Sequence, residues 1–335
     1  MDKIKAEYVW LDGRPSPMPN LRSKIKMVDA IYATPKSNGE QALGFLSLNN
    51  PQPLDSNLPP KWNFDGGSTY QAGLKESDTI LSPVRSYNNP FSEGILVLCE
   101  VLNQDDTPHN SNTRRELVPL ESQSSEMWFG FEQEYTLFLD ESTPLAWKNG
   151  EPEQQGDYYC GVGTENAFGR DISNTHLDMC LAAGIDLYGT NAEVMPSQWE
   201  YQTSPHTALK AADDLWMSRY ILERVTEKEG VFNSFHPKPC QGDWNGAGCH
   251  TNFSTKWMRS DYHYIVEAIN RLEPRHKIHM GVYGEWNSQR MTGSCETSSF
   301  DSFTAGRLDR GASIRIPLAT TKEGGYLEDR RPSAN

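Results

Sequence analysis

The stretch 128–139, WFGFEQEYTLFL, is typical of a β-strand and carries two glutamates at alternate positions. Side chains at i and i+2 project from the same face of a strand, about 6.6 Å apart. Glu132 and Glu134 are therefore expected to lie side by side. Two such carboxylates repel each other unless a cation lies beside them, although the polar side of a half-buried strand would show the same spacing. The pattern thus predicts either a cation site or an ordinary solvent-facing strand.

Further candidate ligands stand in segments that are otherwise poor in charge. Glu193 and Glu200 occur in NAEV and QWEYQ, and His250 follows three small residues in WNGAGCHTNFS. Small residues let the backbone approach a ligand closely, although a lone histidine is more often structural. With Glu328, these residues form a set of hard oxygen ligands and one imidazole, which suits Mg²⁺ or Mn²⁺ better than a thiolate metal. A chain that gathers so many carboxylates is expected to handle a polyphosphate.

The C-terminal part is rich in arginine, whose planar fork matches carboxylate and phosphate oxygens. Arg315 lies in the alternating segment GASIRIP, which is otherwise suited to packing. It is expected either to bind an anionic ligand or to pair with a neighbouring carboxylate. The other arginines of this region are Arg290, Arg307, Arg310, Arg330 and Arg331.

The composition limits the classes of function. The 335 residues suffice for two domains, or for one large domain with a small satellite. With 31 basic against 45 acidic residues the net charge is −14, which argues against a nucleic-acid surface. No stretch reaches the ~20 apolar residues of a membrane span, and no apolar secretory signal is expected at the N-terminus. Six cysteines without a CxxC spacing are expected to stay reduced, in the cytoplasm.

Strand patterns dominate the N-terminal part, and strands alternate with helices after it, so we expect an α+β fold. The polar stretch 103–115 predicts a boundary between a domain over 1–105 and a second domain over 106–335. Residues 62–69 predict a turn-rich loop, and Gly230 is the predicted cap that ends a long helix. Predicted strands cover 7–11, 42–48, 95–102, 128–139, part of 185–194 and the alternating 311–317, and predicted helices cover 169–183, 208–227 and 262–272.

Six motifs, in this order, make the chain similar to a known family. They are EQEY (132–135), NAEVMP (191–196), WEYQ (199–202), WNGAGCHTNFS (244–254), RGASIRIP (310–317) and YLEDRRPSAN (326–335). The chain resembles glutamine synthetase of the type II, eukaryote-like class, and the match runs from about Tyr8 to Asn335. The resemblance implies a small N-terminal β-grasp domain followed by a catalytic domain with a curved antiparallel sheet backed by helices.

The resemblance also implies an activity. It is that of a glutamate–ammonia ligase, which makes L-glutamine from L-glutamate, ammonia and ATP through a γ-glutamyl phosphate intermediate during nitrogen assimilation. The family uses Mg²⁺ or Mn²⁺, two ions per site. Its members form homo-oligomeric rings, in this class usually two stacked pentamers, with active sites between subunits. The implied partners are glutamate, ammonium and ATP, without nucleic acid or membrane.

The site residues follow from their positions in these motifs. Those resembling the ligands of the metal near glutamate are Glu134, Glu193 and Glu200, and those resembling the ligands of the metal among the ATP phosphates are Glu132, His250 and Glu328. The residues matching catalytic ones are Asp65, which would bind and deprotonate ammonium at a neighbouring subunit's site, the flap glutamate Glu296, which would take a proton from ammonium, and Arg310. The residues matching the glutamate pocket are Trp244, Asn245, Gly246, Arg290 and Arg330. The residues matching the ATP pocket are Asn252, Phe253, Ser254, Arg310, Arg315 and Tyr326.

Three features depart from the family pattern. Cys295 stands where the family usually has a histidine beside the flap glutamate, and Gly67 replaces the first serine of an Asp-Gly-Ser-Ser loop. The chain also stops at Asn335, where members continue through a further helical segment, so we expect a truncated or unusual member. Two alternatives stay open: a γ-glutamyl ligase for another amine, which should lack an ammonium-site carboxylate, and a catalytically silent ring protein, which should lack ligands or arginines.

Overall fold

The computed structural model describes residues 2–14, 18–32, 58–123, 126–148, 150–154 and 156–335. It contains both sheets and helices, which confirms the α+β class. Its contacts divide the chain into two units, one with residues 1–15, 19–116 and 181–185 and the other with 16–18, 117–180 and 186–335. The main division falls at residue 116, directly after the polar stretch 103–115.

Five strands form the sheet of the N-terminal unit. They are β1 (Lys3–Leu11), β2 (Leu21–Asp29), β3 (Trp62–Asp65), β4 (Asp78–Asn88) and β5 (Ile95–Leu102). The order across the sheet is β2-β1-β5-β4-β3; β1 and β5 run parallel, and the other neighbours are antiparallel. Alternate apolar side chains of β1 and β5, among them Tyr8, Trp10 and Val97, form the core of this unit.

The outcome of the strand predictions in this unit is mixed. The strand at 95–102 is confirmed, 7–11 is the second half of the longer β1, and 42–48 lies outside the described residues. The predicted loop 62–69 begins as β3, because 62–65 pair with 78–81 of β4. The sequence did not predict β4, whose pairing with β5 shifts register just after Pro83.

Eight strands form the sheet of the second unit. They are β6 (Trp128–Phe138), β7 (Leu187–Ala192), β8 (Gln198–Thr203), β9 (Phe232–Ser234), β10 (Cys249–Ser254), β11 (Ala305–Arg307), β12 (Ile314–Ile316) and β13 (Leu327–Asp329). The order is β11-β12-β13-β10-β6-β8-β7, and β9 pairs with β6. All these pairs are antiparallel except β11 with β12, so β6 holds a central position between β10 and β8.

The three predicted helices are confirmed. The helices of the described residues are α1 (Arg114–Gln123), α2 (Arg170–Ala183), α3 (Ala208–Glu229), α4 (Tyr262–Leu272), α5 (His276–Met280) and α6 (Asn287–Arg290). Gly230 ends α3 as predicted, with φ at +65° and its N–H bonded to the carbonyls of Thr226 and Glu227. In the part of the chain that the structure describes, no helix combines the length and the apolar character needed to cross a bilayer.

The alternation of β6 decides which side of its sheet carries the candidate ligands. Gln133 faces α3, where its Oε1 accepts hydrogen bonds from Arg219 Nε at 3.0 Å and Nη2 at 2.5 Å. The ring of Tyr135 lies 6.5 Å from that of His176 in α2. Since neighbouring residues of a strand point to opposite faces, Glu132 and Glu134 project from the face opposite these helices.

Candidate active site

Strand register brings four candidate ligands together. His250 of β10 lies opposite Glu132 of β6, and Glu200 of β8 lies opposite Glu134. Directly opposite residues of an antiparallel pair share one face, with their Cβ atoms about 5 Å apart. These four side chains therefore form a single cluster on one side of the sheet.

Glu193 joins this cluster from the turn after β7. Its N–H donates to the carbonyl of Gln198 at 2.9 Å, which closes the hairpin between β7 and β8. Ligand atoms of Glu134, Glu193 and Glu200 lie within 4.8 Å of one another. A second set with the same spacing contains Glu132, Glu200 and His250. Glu200 thus belongs to both sets, whereas its motif assigns it to one metal.

Glu328 of β13 lies between two arginines and is 1% exposed. Its Oε2 accepts from Arg315 Nη1 at 2.7 Å and its Oε1 from Arg330 Nη1 at 2.6 Å. In this structure Arg315 is therefore the ion-pair partner of a carboxylate, one of the two possibilities that the sequence left open. His250 Nδ1 lies 3.4 Å from Glu328 Oε1 and 3.6 Å from Glu132 Oε2.

Crowding of the carboxylates changes their protonation. Burial and the charge of Glu134 raise the pKa of Glu193 from 4.5 to about 8. Burial and the charges of Glu193, Glu132 and Glu134 raise the pKa of Glu200 well above its usual value. Both shifts mean that these carboxyl groups hold protons at neutral pH unless a cation neutralises their negative charge.

The pKa values of His250 and Glu328 shift in the directions that favour the charged forms of these side chains. Burial and Arg330 lower the pKa of His250, but the nearby carboxylates of Glu132 and Glu328 outweigh them and raise it to about 9. Burial raises the pKa of Glu328, but His250 and Arg330 outweigh it and hold that pKa well below its usual range. Glu328 is therefore a permanent anion of the cluster.

The residues of this cluster fit a divalent cation. Carboxylate oxygens with one imidazole are the donor set that Mg²⁺ and Mn²⁺ take in proteins. Among the described residues, the buried Nδ1 of His250 has no hydrogen-bond partner, although it faces two carboxylates. A cation would give this nitrogen a partner and would replace the mutual repulsion of Glu134, Glu193 and Glu200.

A cleft of about 220 Å³ borders the cluster and is lined by five of the six candidate ligands together with Glu296, Arg310 and Arg330. Arg330 connects these elements, because its Nη2 donates to the carbonyl of Glu296 at 3.2 Å and its Nε to the carbonyl of Arg310 at 3.1 Å. Arg330, which also binds Glu328, is thus hydrogen-bonded to the backbones of both Glu296 and Arg310.

Arg290 is buried below the C-terminal segment rather than in this cleft. Its Nη2 lies 2.8 to 3.2 Å from the carbonyls of residues 330–332. A Cβ on Gly246 would lie 2.4 Å from Arg290 Cγ, and one on Gly248 would lie 2.9 Å from its Nη1, so small residues make room for this arginine. Arg290 and Cys295 help to line a second cavity of about 520 Å³. A role for Arg290 in binding glutamate stays a prediction.

Two of the predicted glutamate-binding residues precede Gly246 and are buried. Trp244 is 1% exposed and packs in a core cluster with Tyr158 and Met195. Its Nε1 donates to Glu151 Oε1 at 3.2 Å. The indole of Trp244 is therefore part of the packing beneath the segment that carries Asn245 and Gly246. The role of Asn245 in substrate binding stays a prediction.

Asn252 and Tyr326, both predicted to contact ATP, lie on the ligand side of the sheet. Asn252 is opposite Glu328 in the register, and its Nδ2 donates to Glu132 Oε1 at 2.8 Å. Burial and the charges of Glu132 and Glu328 raise the pKa of Tyr326. In this structure Asn252 thus orients a candidate ligand.

Phe253 and Ser254, two other predicted ATP contacts, are held by packing and by a hydrogen bond. The ring centroid of Phe253 lies 5.1 Å from that of Phe129, and Phe253 packs against the cluster that includes Ile265 of α4. Arg259 Nη1 donates to Ser254 Oγ at 3.0 Å. Their contacts with a nucleotide stay predictions.

Comparison with known proteins agrees with this arrangement. The family model for the glutamine synthetase catalytic domain matches residues 108–263. Glutamine synthetase from Yarrowia lipolytica is 48% identical over 340 residues, which cover 99% of this chain and 86% of that protein. Glutamine synthetase from Eremothecium gossypii is 51% identical over 343 residues, which cover 99% of this chain and 85% of that protein. Glutamine synthetase from Suillus bovinus is 47% identical over 343 residues, which cover 100% of this chain and 90% of that protein. The chain belongs to the glutamine synthetase family.

The loop that departs from the glutamine synthetase pattern at Gly67 lies in the N-terminal unit. Asp65 caps the turn Gly66–Thr69, since its Oδ1 accepts from Gly67 N at 3.1 Å and its Oδ2 from Ser68 Oγ at 2.6 Å. The hydrogen bond from Ser68 lowers the pKa of Asp65, so this side chain is an anion at neutral pH. Gly67 supplies the backbone donor, and Ser68 alone supplies the hydroxyl of this motif.

Sequence reasoning missed four residues of this candidate site. Tyr159 and Val194 line the cleft, and Asn191 and Gln202 contact candidate ligands. Asn191 and Gln202 stand two positions from Glu193 and Glu200 in strand-like motifs, so the alternation that paired Glu132 with Glu134 also predicts them on the ligand face. Tyr159 gave no such signal, because it lies in a Gly-rich crossing without a regular period.

Proposed function

We propose that the chain makes L-glutamine from L-glutamate, ammonia and ATP, as an ATP-dependent glutamate–ammonia ligase with a γ-glutamyl phosphate intermediate. The observation that carries this proposal is the cluster of Glu132, Glu134, Glu193, Glu200 and His250, which borders a cleft with two arginines. A carboxylate is a poor electrophile, so its oxygen must first become a leaving group by phosphorylation. Such a transfer needs in-line positioning and neutralisation of charge.

Two divalent cations, Mg²⁺ or Mn²⁺, would be held by this cluster. The first would take Glu134, Glu193 and Glu200, and the second would take Glu132, His250 and Glu328, with Glu200 near both. When bound, they supply the positive charge that stabilises a transferring phosphoryl group. The protein adds fixed cations of its own, since Arg330 and Arg315 already bind Glu328 at one side of the cluster.

The nucleotide would occupy the side of the sheet near β10 and β12. We assign Asn252, Phe253, Ser254 and Tyr326 to its recognition, with Arg310 and Arg315 on its phosphates. Arg310 is exposed and lines the cleft, whereas Arg315 is only partly exposed and paired with Glu328. The guanidinium of Arg310 would also stabilise the transferring group, which gives it a catalytic role.

Glutamate would lie against Trp244, Asn245 and Gly246, with Arg290 and Arg330 as the cationic partners of its carboxylates. Ammonium must lose a proton to become a nucleophile, and the carboxylates of Asp65 and Glu296 would accept that proton. The acyl phosphate hydrolyses in water, so the segment with Glu296 must close before ammonia attacks. The hydrogen bond from Arg330 to the carbonyl of Glu296 is consistent with such a closed segment.

We also propose that the domains and the assembly are those of the family. We assign residues 1–105 to a β-grasp domain and 106–335 to the catalytic domain, and we place the protein in the cytoplasm. We propose homo-oligomeric rings, two pentamers stacked together, in which the Asp65 loop of one subunit serves the site of its neighbour. The parallel pairing of β1 with β5 at the centre of the N-terminal sheet is compatible with the β-grasp assignment.

The test is formation of glutamine from glutamate and ammonium with ATP and Mg²⁺, measured directly as glutamine and as released phosphate. We expect at least one phosphate for each glutamine, with any excess coming from acyl phosphate lost to water, and no glutamine without ammonium. The same assay with methylamine or a polyamine in place of ammonium separates this activity from that of a ligase for another amine. Faster amide formation with either amine, or no product with any of them, would contradict the proposal.

A second prediction concerns Cys295 beside the flap glutamate. Cys295 and Glu296 both have positive φ, +50° and +59°, a region that histidine tolerates better than most residues. Cys295 Sγ donates weakly to Asp243 Oδ1 at 3.3 Å. An imidazolium in its place would make a stronger, charge-assisted hydrogen bond to this aspartate. The gain of about 1 kcal/mol would raise the population in which the segment with Glu296 is closed roughly fivefold.

The measurement compares Cys295→His and Cys295→Ala with the parent. We expect Cys295→His to lower the apparent KM for ammonium and to release less phosphate for each glutamine. Cys295→Ala should move both values in the other direction, while the KM for ATP stays the same in all three proteins. Equal ammonium KM and equal phosphate ratios would show that the sulfur has no part in closure.

A further inference from the structure

Two amide side chains connect a pair of candidate ligands in the cluster. Asn191 Nδ2 donates to Glu193 Oε1 at 3.0 Å, and Gln202 Nε2 donates to Asn191 Oδ1 at 2.7 Å. Gln202 Nε2 also donates to Glu200 Oε1. A continuous chain of hydrogen bonds, here called the amide chain, therefore runs from Glu193 through Asn191 and Gln202 to Glu200.

The orientation of both amides is determined by this chain. Each NH₂ group faces a carboxylate, which can only accept in the ionised form that binds a cation, and the carbonyl oxygen of Asn191 accepts from Gln202. Turning either amide over would place an oxygen against a carboxylate oxygen. The chain can therefore form in one direction, and it fixes the rotamers of two carboxylates at the same time.

The backbone of the β7–β8 hairpin places the amide chain. Asn191 lies directly opposite Glu200, and Gly189 lies opposite Gln202. A Cβ on Gly189 would lie 3.0 Å from Gln202 Oε1, so glycine at this position leaves room for the amide. Thr190 Oγ1 also donates to the carbonyl of Glu200 at 2.7 Å, which ties the two strands at the same point.

The chemistry of the amides matters for a cation site. An amide donates a hydrogen bond without carrying charge, so it does not neutralise the charge that Glu193 and Glu200 offer to an ion in their ionised forms. Glu328 is different, because two arginines already neutralise it. Neutral donors that orient ligating carboxylates are the usual outer partners of metal sites, and their loss weakens metal binding about 10–100-fold.

We infer that Asn191 and Gln202 are positioning residues that hold Glu193 and Glu200 in the arrangement a divalent cation needs. This inference rests on the proposed function, because it concerns the ion held by Glu134, Glu193 and Glu200. In this role the amide chain acts through the two ligands that it orients. Its contribution is pre-organisation, since both carboxylates are ordered before the ion arrives.

The experiment measures the Kd of Mn²⁺ alone by titration calorimetry, without substrates. Asn191→Ala removes one link, and Gln202→Met removes the other while keeping the length of the side chain. The matched control is Asn233→Ala in β9, because Asn233 Nδ2 makes the same kind of bond, 3.1 Å, to Glu223 outside the cluster. Thermal unfolding of each metal-free variant verifies that it is folded.

We expect each single variant to raise the Kd about 10–100-fold and the control to leave it unchanged. The double variant should bind about as weakly as the weaker single variant, because either change breaks the same chain. Single variants with Kd values within twofold of the parent, or losses that multiply in the double variant, would overturn the inference. A parent that binds no Mn²⁺ would overturn the proposed function, and this inference with it.

Discussion

Replacing Glu200 with glutamine is expected to abolish glutamine formation while the chain stays folded. Glu200 belongs to both sets of clustered ligand atoms, one with Glu134 and Glu193 and the other with Glu132 and His250. Glutamine keeps the size of the side chain but removes its charge, so a single change is expected to weaken both proposed cation sites. A loss of several kcal/mol of transition-state stabilisation corresponds to roughly a thousandfold or more in kcat. Initial rates at saturating substrates, with Mg²⁺ and again with Mn²⁺, measure the effect.

Glu223→Gln is the matched control for this change. Burial raises the pKa of Glu223 in α3, as it does for Glu200, but Glu223 is bound by Asn233 and lies outside both sets. Its replacement should leave the rate close to that of the parent. A Glu200→Gln protein that is active and saturated with metal would exclude the two-cation interpretation of the cluster.

The parts of the site that depend on local periodicity could be predicted from the sequence. The alternation in β6 was sufficient to place Glu132 and Glu134 on one face, and the helical spacing and Gly230 were sufficient for the end of α3. These features depend on residues within a few positions of each other. The family motifs then supplied candidate partners that lie far away in the sequence.

The parts that depend on register and on long-range packing could not be predicted. Glu200 enters both ligand sets because β8 pairs with β6 so that it faces Glu134, and no local pattern contains that pairing. The choice between a ligand and an ion pair for Arg315 depended on Glu328 lying opposite it in β13. Similarly, no local pattern indicated that Gly246 and Gly248, interpreted as room for a ligand, also make room for Arg290.

The metal-free protein is expected to lose stability as the pH rises from about 5 to about 8. The pKa of Glu193 is about 8 in the folded state and 4.5 without the fold, so between these values the folded chain holds a proton that the unfolded chain has released. Stability falls with pH wherever the folded state binds more protons. The raised pKa values of Glu200 and His250 act in the same direction. The lowered pKa of Glu328 acts in the other direction, but its effect is confined to acid below this window.

Each unit of pKa shift corresponds to about 1.4 kcal/mol, so a fall of a few kcal/mol, or roughly 5–10 °C in Tm, is expected across this window. Saturating Mn²⁺ should reverse the trend, because the ion binds the deprotonated carboxylates and its apparent affinity rises with pH. The shift in Tm on adding Mn²⁺ should therefore be small at pH 5 and largest near pH 8. Glu193→Gln should flatten the metal-free profile and reduce the shift. A metal-free Tm that is constant or rising from pH 5 to 8, and that does not respond to Glu193→Gln, would show that the carboxylates are not crowded in solution as they are in this structure.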